Sequence, residues 1–495
     1  MAGGAAGVKV REGVRQTMAW LHGWSGLLLG WVLYVMCLAG SLAVFRPEIG
    51  EWMRPETRDR APAPQAVAAA VGWLQKHASD AGAWFLYAPG PRTNTVEAVW
   101  FHGLDYTLRA LDPVSGLPAL RQTRGGEFFY RLHFELQLPY PWGRLLACTA
   151  AAAMLLALIS GVIAHRRIFR DFFTFRPGRG QRAWLDAHNA LGVFALPFHI
   201  MITFTGLVTL FSLAMPWGAH AVYGNNSAAA FQDLVPGAIS RAAAGTPGTL
   251  APIAPMIAEA ERRFGGGHVG LISVLNPKDA ASLVLVYQAD DGGIATSPEA
   301  ISFDGTTGRV LADYREGRAM VKAYDVVYGL HLARFADPLI RWLYFASGLA
   351  LTGGIATGLI LWIVKRRERA SLGFCNRLVE RLNIGVIAGA PIAFAGYFWA
   401  NRLLPLGGAD RAATEVTCLY SIWAAALVLA FALPRRVAWP ALLAVAGFAW
   451  TVLPLADIAT RGAGTMVLRV GDLTMVVAGL AFFAASWWAR RRVAA

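Results

Sequence analysis

Eight apolar stretches recur along the chain, and each is long enough for a helix to cross the roughly 30 Å of hydrocarbon in a lipid bilayer. They lie near 18–45, 143–165, 184–214, 339–364, 383–402, 415–433, 438–457 and 469–489. Two long polar segments interrupt the first four stretches, whereas the last four follow one another closely. The pattern predicts a polytopic α-helical membrane protein with eight transmembrane helices.

The two polar segments carry runs of alternating apolar residues, such as SLVLVYQ at 282–288, and turn signals, which predict small α+β domains. The predicted organisation is the N-terminus and first helix over 1–45, an α+β domain over 46–142, two helices with a basic link over 143–214, a second α+β domain over 215–338, a fourth helix with a basic loop over 339–382, and a four-helix extension over 383–495.

Composition supports a membrane protein, since 56% of the 495 residues are hydrophobic and only 15% are charged. The formal charge of +14 does not require a nucleic acid, because the basic residues lie beside apolar stretches. With eight helices, the basic clusters at the N-terminus, 166–182, 365–381, 435–436 and 490–492 fall on one side. The positive-inside rule makes that side the cytoplasm, so both termini are predicted to be cytoplasmic and both inserts periplasmic, in a bacterial inner membrane.

The first four stretches repeat. Trp20-Leu21-His22 begins the first as Trp184 to His188 begins the third, LDPVSG at 111–116 parallels FDGTTG at 303–308, and Leu132-His133 precedes the second as Leu330-His331 precedes the fourth. A unit of helix, extracytoplasmic domain, Leu-His and helix therefore occurs twice, which indicates duplication and a site between the halves.

Six of the ten histidines lie in or beside the repeated stretches: His22, His133, His165, His188, His199 and His331. On the predicted topology they form an inner layer and an outer layer. His188 and His199 are eleven residues apart, which on a straight helix returns to within about 20° of one face. Buried histidine needs a partner or a function, and neutral imidazole binds haem iron, so the spacing predicts two stacked b-type haems.

For the inner haem the predicted pair is His188 with His22 or His165; for the outer haem it is His199 with His331, and His133 is the competing partner. A proton relay that involves Asp186 stays an alternative. Zinc is disfavoured, because no compact set of four ligands is evident. Pro197 predicts a bend in the third transmembrane segment.

The sequence contains no GxxxxGK[ST] motif, no evident GxGxxG motif after a strand and no room for a flavin or nicotinamide module in the cytoplasmic loops. Electrons must therefore come from a separate cytoplasmic reductase or from membrane quinol. The four cysteines include no CxxC motif and predict no disulfide framework.

The chain resembles the PepSY-associated transmembrane family, also described as iron-regulated membrane proteins, which includes ferric-siderophore reductases of the Gram-negative inner membrane. The resemblance covers roughly residues 15–370. It rests on LHGWSGLLLG (21–30), FFYRLHFELQLP (128–139), ISGVIAHRRIFRDFFTFRP (159–177), WLDAHNALGVFALPFHIMITFTGL (184–207), the 328–367 segment that begins YGLHLARFADPL, and the DPVSG and DGTTG turns.

The resemblance implies a four-helix unit that carries b-type haems between histidines and paired PepSY domains in the periplasm. Such a protein would be a haem-dependent membrane oxidoreductase that passes electrons outward to a periplasmic ferric chelate, for example a ferric siderophore. The last four helices depart from the shorter family members. A PepSY-type membrane-anchored binding or regulatory protein and a proton-coupled transport component are the competing functions, and homodimerisation stays open.

Overall fold

The structure is a computed structural model, and it describes residues 13–102, 105–165, 180–226, 229, 233, 239–295, 299–367, 373–408, 410–461 and 464–493. Most of the basic link predicted at 166–182 lies outside these residues. The helices and strands below are numbered in chain order.

The first half of the duplicated region contains five helices and three strands. They are α1 (Val14–Ala43), α2 (Arg46–Trp52), α3 (Ala63–His77), β1 (Ala83–Tyr87), β2 (Val96–His102), β3 (Asp105–Leu111), α4 (Glu127–Glu135) and α5 (Trp142–Ala164). Helix α1 packs along α5 and against α4.

The second half repeats this order with a broken first helix. Its elements are α6 (Gln181–Phe194), α7 (Leu196–Thr209), α8 (Phe211–Ala214), α9 (Trp217–Tyr223), α10 (Ile253–Arg263), β4 (Val269–Leu275), β5 (Leu283–Gln288), β6 (Ala300–Asp304), β7 (Val310–Tyr314), α11 (Ala319–Leu332) and α12 (Pro338–Arg367). Helix α12 packs on α6, and α11 packs on α7, as α5 and α4 do on α1.

The C-terminal region adds five helices: α13 (Phe374–Ile387), α14 (Gly389–Leu403), α15 (Arg411–Ala432), α16 (Arg435–Arg461) and α17 (Met466–Val493). Helix α13 begins inside the stretch predicted as a basic loop. Seven spans in the described residues are long and apolar enough to cross a membrane, with α13 and α14 together forming one. The pair α6 and α7 makes an eighth if it counts as one bent span, which matches the predicted number.

Helices α6 and α7 meet at Ala195 with a bend of 68°. Pro197 lies in the first turn of α7, where its missing N–H and its ring prevent a continuous helix. The predicted bend is therefore present. Its size also means that His188 and His199 do not share one straight helical face, so that part of the spacing argument was wrong.

The two inserts form one sheet and not two separate domains. All seven strands are antiparallel, in the order β3-β2-β1-β4-β5-β6-β7, and β1 of the first half pairs with β4 of the second. Alternate residues such as Trp84 and Leu86 face a core that α3 and α10 cover on the same side. The two inserts therefore join edge to edge, because each half exposes a strand edge and pairing the two edges satisfies both.

The repeated turns have the same local cause. Asp112 accepts main-chain N–H bonds from Val114 and Ser115, and Asp304 accepts them from Thr306 and Thr307. A glycine follows each turn at positive φ, and a Cβ on Gly116 would lie 2.3 Å from the carbonyl oxygen of Ala69. These turns are therefore structural.

Buried ion pairs join the C-terminal helices to α2. Arg402 and Asp457 have fully buried side chains 2.6 Å apart, and the Arg402 guanidinium lies 3.7 Å from the Trp52 ring centre. The indole of Trp52 donates to Asp472 at 3.1 Å. Because each charge has a partner, this part of the protein tolerates charges within apolar helices.

Candidate functional site

Two histidines from different halves meet at one end of the helical bundle. His22 lies on α1 and His188 on α6, with ring centroids 6.0 Å apart and ring planes at 65°. His165, the residue that ends α5, lies 6.4 Å from His22 at 80°. The three residues predicted for the inner layer are therefore together.

Two further histidines meet near the sheet. His133 on α4 and His331 on α11 have ring centroids 6.0 Å apart, and their planes are nearly parallel, at 21°. Each comes from the helix that follows one insert. The prediction preferred His199 as the second ligand beside His331 and named His133 as the alternative. The structure brings His331 together with His133 and not with His199.

His22, His188, His133 and His331 are each held by the same kind of contact. The Nδ1 atom of each lies within hydrogen-bond distance of a main-chain carbonyl on a neighbouring helix: Ala157 for His22, Gly354 for His188 and Met36 for His133 at 2.8 Å, and Ile202 for His331 at 3.0 Å. A carbonyl only accepts, so Nδ1 carries the proton. The lone pair is then on Nε2, which is the tautomer that binds a metal through Nε2.

A glycine stands four residues after each accepting carbonyl, one helical turn further along. These glycines are Gly161, Gly358, Gly40 and Gly206, in the same order as the histidines. A Cβ on Gly161 or Gly358 would lie 3.1 Å from the imidazole, on Gly206 2.8 Å and on Gly40 2.6 Å. Each ring therefore occupies the space that a side chain would need. We name this arrangement the histidine seat.

The pair geometry fits two ligands of one metal. A nitrogen ligand lies about 2 Å from a first-row metal, so two imidazoles on opposite sides of one iron have centroids about 6 Å apart. Both pairs show this separation. In the described residues, no group of three or more His, Cys, Asp or Glu side chains could hold a metal ion. Two imidazoles alone could hold a metal that brings its own equatorial ligands, as haem iron does.

His199 lies apart from both pairs. It is in the first turn of α7, fully buried, and its Nε2 lies 3.2 Å from the carbonyl oxygen of Ser347 on α12. The predicted pair of His199 with His331 is not formed, because α11 seats His331 against Ile202 and Gly206, further along α7. Neither His165 nor His199 shows the histidine seat among the described contacts.

Two tyrosines stand one helical turn before the histidines near the sheet. Tyr130 precedes His133 by three residues, as Tyr328 precedes His331, so each shares a helix face with its histidine. Tyr328 stacks on Tyr324 at 5.9 Å, and Tyr324 is 43% exposed. Burial raises the pKa of Tyr328 to about 12, so its hydroxyl stays a hydrogen-bond donor near neutral pH. Tyr328 thus shares a helix face with His331, and its neighbour Tyr324 reaches solvent.

The fold and the paired histidines define a multi-pass membrane protein with a duplicated helical core and an antiparallel sheet. A family model described as the PepSY-associated TM region matches residues 19–365, and the chain belongs to this family. An uncharacterized protein of Pseudomonas aeruginosa is 27% identical over 387 residues, which are 74% of this chain and 96% of that protein.

Sequence reasoning found the histidines but not the histidine seat. The signal is present in the sequence, because Ala157 and Gly161 in α5 correspond to Gly354 and Gly358 in α12. It could not be interpreted without knowing which helices are neighbours. The buried pair of Arg402 with Asp457 was missed for the same reason.

Proposed function

We propose that the protein is a diheme b-type oxidoreductase that moves electrons across the membrane. The pair His22–His188 would hold one haem and the pair His133–His331 the other. Haem supplies one-electron oxidation and reduction of its iron. The observation that carries the proposal is the repeated pair geometry, with 6.0 Å between ring centroids and Nδ1 held by a carbonyl in all four rings.

The residues of the chain would divide the crossing into two levels. Helix α1 carries His22 near its start and seats His133 at Met36, fourteen residues later. At 1.5 Å per residue these positions are about 21 Å apart along the helix. The histidine seats fix the four rings before any ligand binds, so the protein does not need to reorganise when iron changes charge.

We infer the direction of transfer from the predicted topology. By the positive-inside rule, the His22–His188 pair would lie on the cytoplasmic side of the inner membrane, and the His133–His331 pair, with the PepSY-like sheet, would lie towards the periplasm. Membrane quinol or a cytoplasmic reductase would donate the electrons. The acceptor would be a ferric chelate such as a ferric siderophore, because reduction to Fe(II) weakens the preference for hard oxygen ligands and permits release.

Haem content of purified single and double variants tests this function. We expect two low-spin b haems per chain. His22→Ala or His188→Ala should remove one, the double variant of this pair should still remove only one, and a variant of one histidine from each pair should remove both. His77→Ala is the matched control, because His77 lies exposed on α3, where it bonds to the Trp73 carbonyl and stacks on the Trp73 ring of its own helix.

A haem-free protein, after expression with sufficient haem, would refute the proposal. That outcome would favour the membrane-anchored binding function, in which the sheet holds a partner. Proton-coupled transport would then be tested by proton uptake into vesicles.

A further inference from the structure

The two halves differ at one buried position. When His22 is aligned with His188, Leu33 corresponds to His199, because both lie eleven residues further along. When the histidine seats are aligned, Ala150 of α5 corresponds to Ser347 of α12, because both lie seven residues before the accepting carbonyl. The structure supports both alignments, since Leu33 packs in one cluster with Ala150, and His199 contacts Ser347.

The first half has an apolar contact between Leu33 and Ala150. At the corresponding place the second half has a polar contact between His199 and Ser347 that leaves one ring nitrogen without a partner. Leu33 is 4% exposed and Ala150 is fully buried. The His199 ring is also fully buried, but its Nδ1 has no hydrogen-bond partner among the described residues. A buried polar atom without a partner costs about 1–3 kcal/mol, and leucine at this position would avoid that cost.

The contacts of His199 make Nδ1 a proton acceptor. The Ser347 carbonyl accepts a hydrogen bond, so the proton of the neutral ring is on Nε2 and the lone pair is on Nδ1.

His199 lies between the two histidine pairs, one turn of α7 before Ile202, whose carbonyl seats His331. The helices packed on α7 carry titratable groups: Cys148 on α5, Tyr344 on α12, whose hydroxyl donates to Leu330, and His331 on α11, which also bears Lys322, Tyr324, Asp325 and Tyr328. The charged side chains near the ends of α5 and α12 are paired, Arg144 with Glu135 and Arg341 with Glu48. On α6, Arg182 and Asp186 lie near the start of the helix, far from the bend.

We propose that His199 takes up a proton when the outer haem, held by His133 and His331, is reduced. This inference rests on the proposed function. The haem that His133 and His331 would hold would take up one electron from the donor, and the His199 imidazole would take up one proton from the aqueous phase to become imidazolium; both would leave again on oxidation. The positive charge replaces the one lost at the iron, so the net charge inside the low-dielectric layer does not change. His199 would thus balance the charge of the iron and would not be an axial ligand.

The test is an optical redox titration of the purified protein at several pH values between about 6 and 8. In the wild type, the outer haem should become harder to reduce as pH rises. Full coupling changes the equilibrium constant tenfold per pH unit, which is about 59 mV for one electron. His199→Asn is polar but does not titrate, so it should keep both haems and lose this slope. His199→Leu, which copies the other half, should do the same.

His77→Asn is the control, because His77 lies exposed on α3, and it should keep the wild-type slope of the outer haem. An equal slope in the wild type and His199→Asn, with two haems in each, would overturn the inference and leave the proposed function intact. Loss of one low-spin haem in both His199 variants would also overturn it, because His199 would then be an axial ligand. A wild type without haem would instead refute the proposed function.

Discussion

If the His133–His331 pair holds a haem as proposed, the histidine seats predict that a single added methyl group removes it. In Gly40→Ala and Gly206→Ala the added Cβ would lie 2.6 Å from Nδ1 of His133 and 2.8 Å from Cε1 of His331. Both distances are about 0.6 to 0.8 Å below ordinary van der Waals contact, which begins at 3.4 Å. Gly161→Ala and Gly358→Ala are milder, because their 3.1 Å contacts require a shift of only about 0.3 Å.

The magnitude follows from how closely a ligand must be placed. A metal-binding side chain has to stay within about 0.5 Å of its productive position. Loss of the group that orients a ligand weakens metal binding about 10- to 100-fold, which is roughly 1.4 to 2.7 kcal/mol. We therefore expect Gly40→Ala and Gly206→Ala to lose most of one haem, and Gly161→Ala and Gly358→Ala to keep two.

The assay is haem per chain from the pyridine-haemochrome spectrum, with the reduced-minus-oxidised spectrum as a second readout. Gly26→Ala on α1 and Gly192→Ala on α6 are the controls, because a Cβ at either position meets no atom within 4 Å. Alanine also favours a helix over glycine by about 1 kcal/mol, so the controls should be at least as stable as the wild type. Two haems with an unchanged spectrum in Gly40→Ala and Gly206→Ala would refute the reasoning.

Three further predictions concern other parts of the chain. Asp457→Leu should lower stability by about 3–5 kcal/mol in thermal denaturation, because it leaves the buried Arg402 without a carboxylate, and Arg402→Leu in the same chain should restore part of the loss. The Arg241 guanidinium and the Thr306 hydroxyl hold the pKa of Asp304 well below its usual range. Its ionised form therefore stabilises the sheet at neutral pH, and this contribution is lost as pH falls below about 4; Asp304→Asn should cost about 1 kcal/mol at pH 7, and less in acid, by denaturant unfolding. Tyr328→Ala should slow reoxidation of the reduced protein by a ferric chelate about tenfold with both haems retained, whereas Tyr328→Phe should not, in stopped-flow absorbance.

The sequence predicted the elements of this fold better than their partners. Apolar length alone located the candidate membrane spans of the described residues, because each must cover the same bilayer thickness. The bend at Ala195 was also predictable, since Pro197 acts locally. The pairing of β1 with β4 was not, because both strands alternate in the same way whether they end two small sheets or join one.

At the candidate site, too, the sequence indicated which histidines take part but not which of them lie together. His133 was identified, but helical periodicity relates only residues of one helix, and its contact with His331 joins two helices far apart in the chain. Charges in the C-terminal helices were hard to interpret for a related reason. Arg402 is compatible with a buried segment only because Asp457, on another helix, neutralises it.

The duplication explains why each pair combines the two halves. His22 and His133 come from the first half, and His188 and His331, their partners, from the second. In a duplicated protein, the equivalent histidines of the two halves can face each other only where the symmetry axis that relates the halves passes between them. A single half would therefore present two unpaired imidazoles, and joining the halves creates both sites at once. Features that only one half has are not part of the shared arrangement that pairs the histidines. They include His199 in place of Leu33, and the bent pair α6 and α7 in place of the single helix α1. We therefore expect these differences to determine how the two ends of the proposed electron path differ.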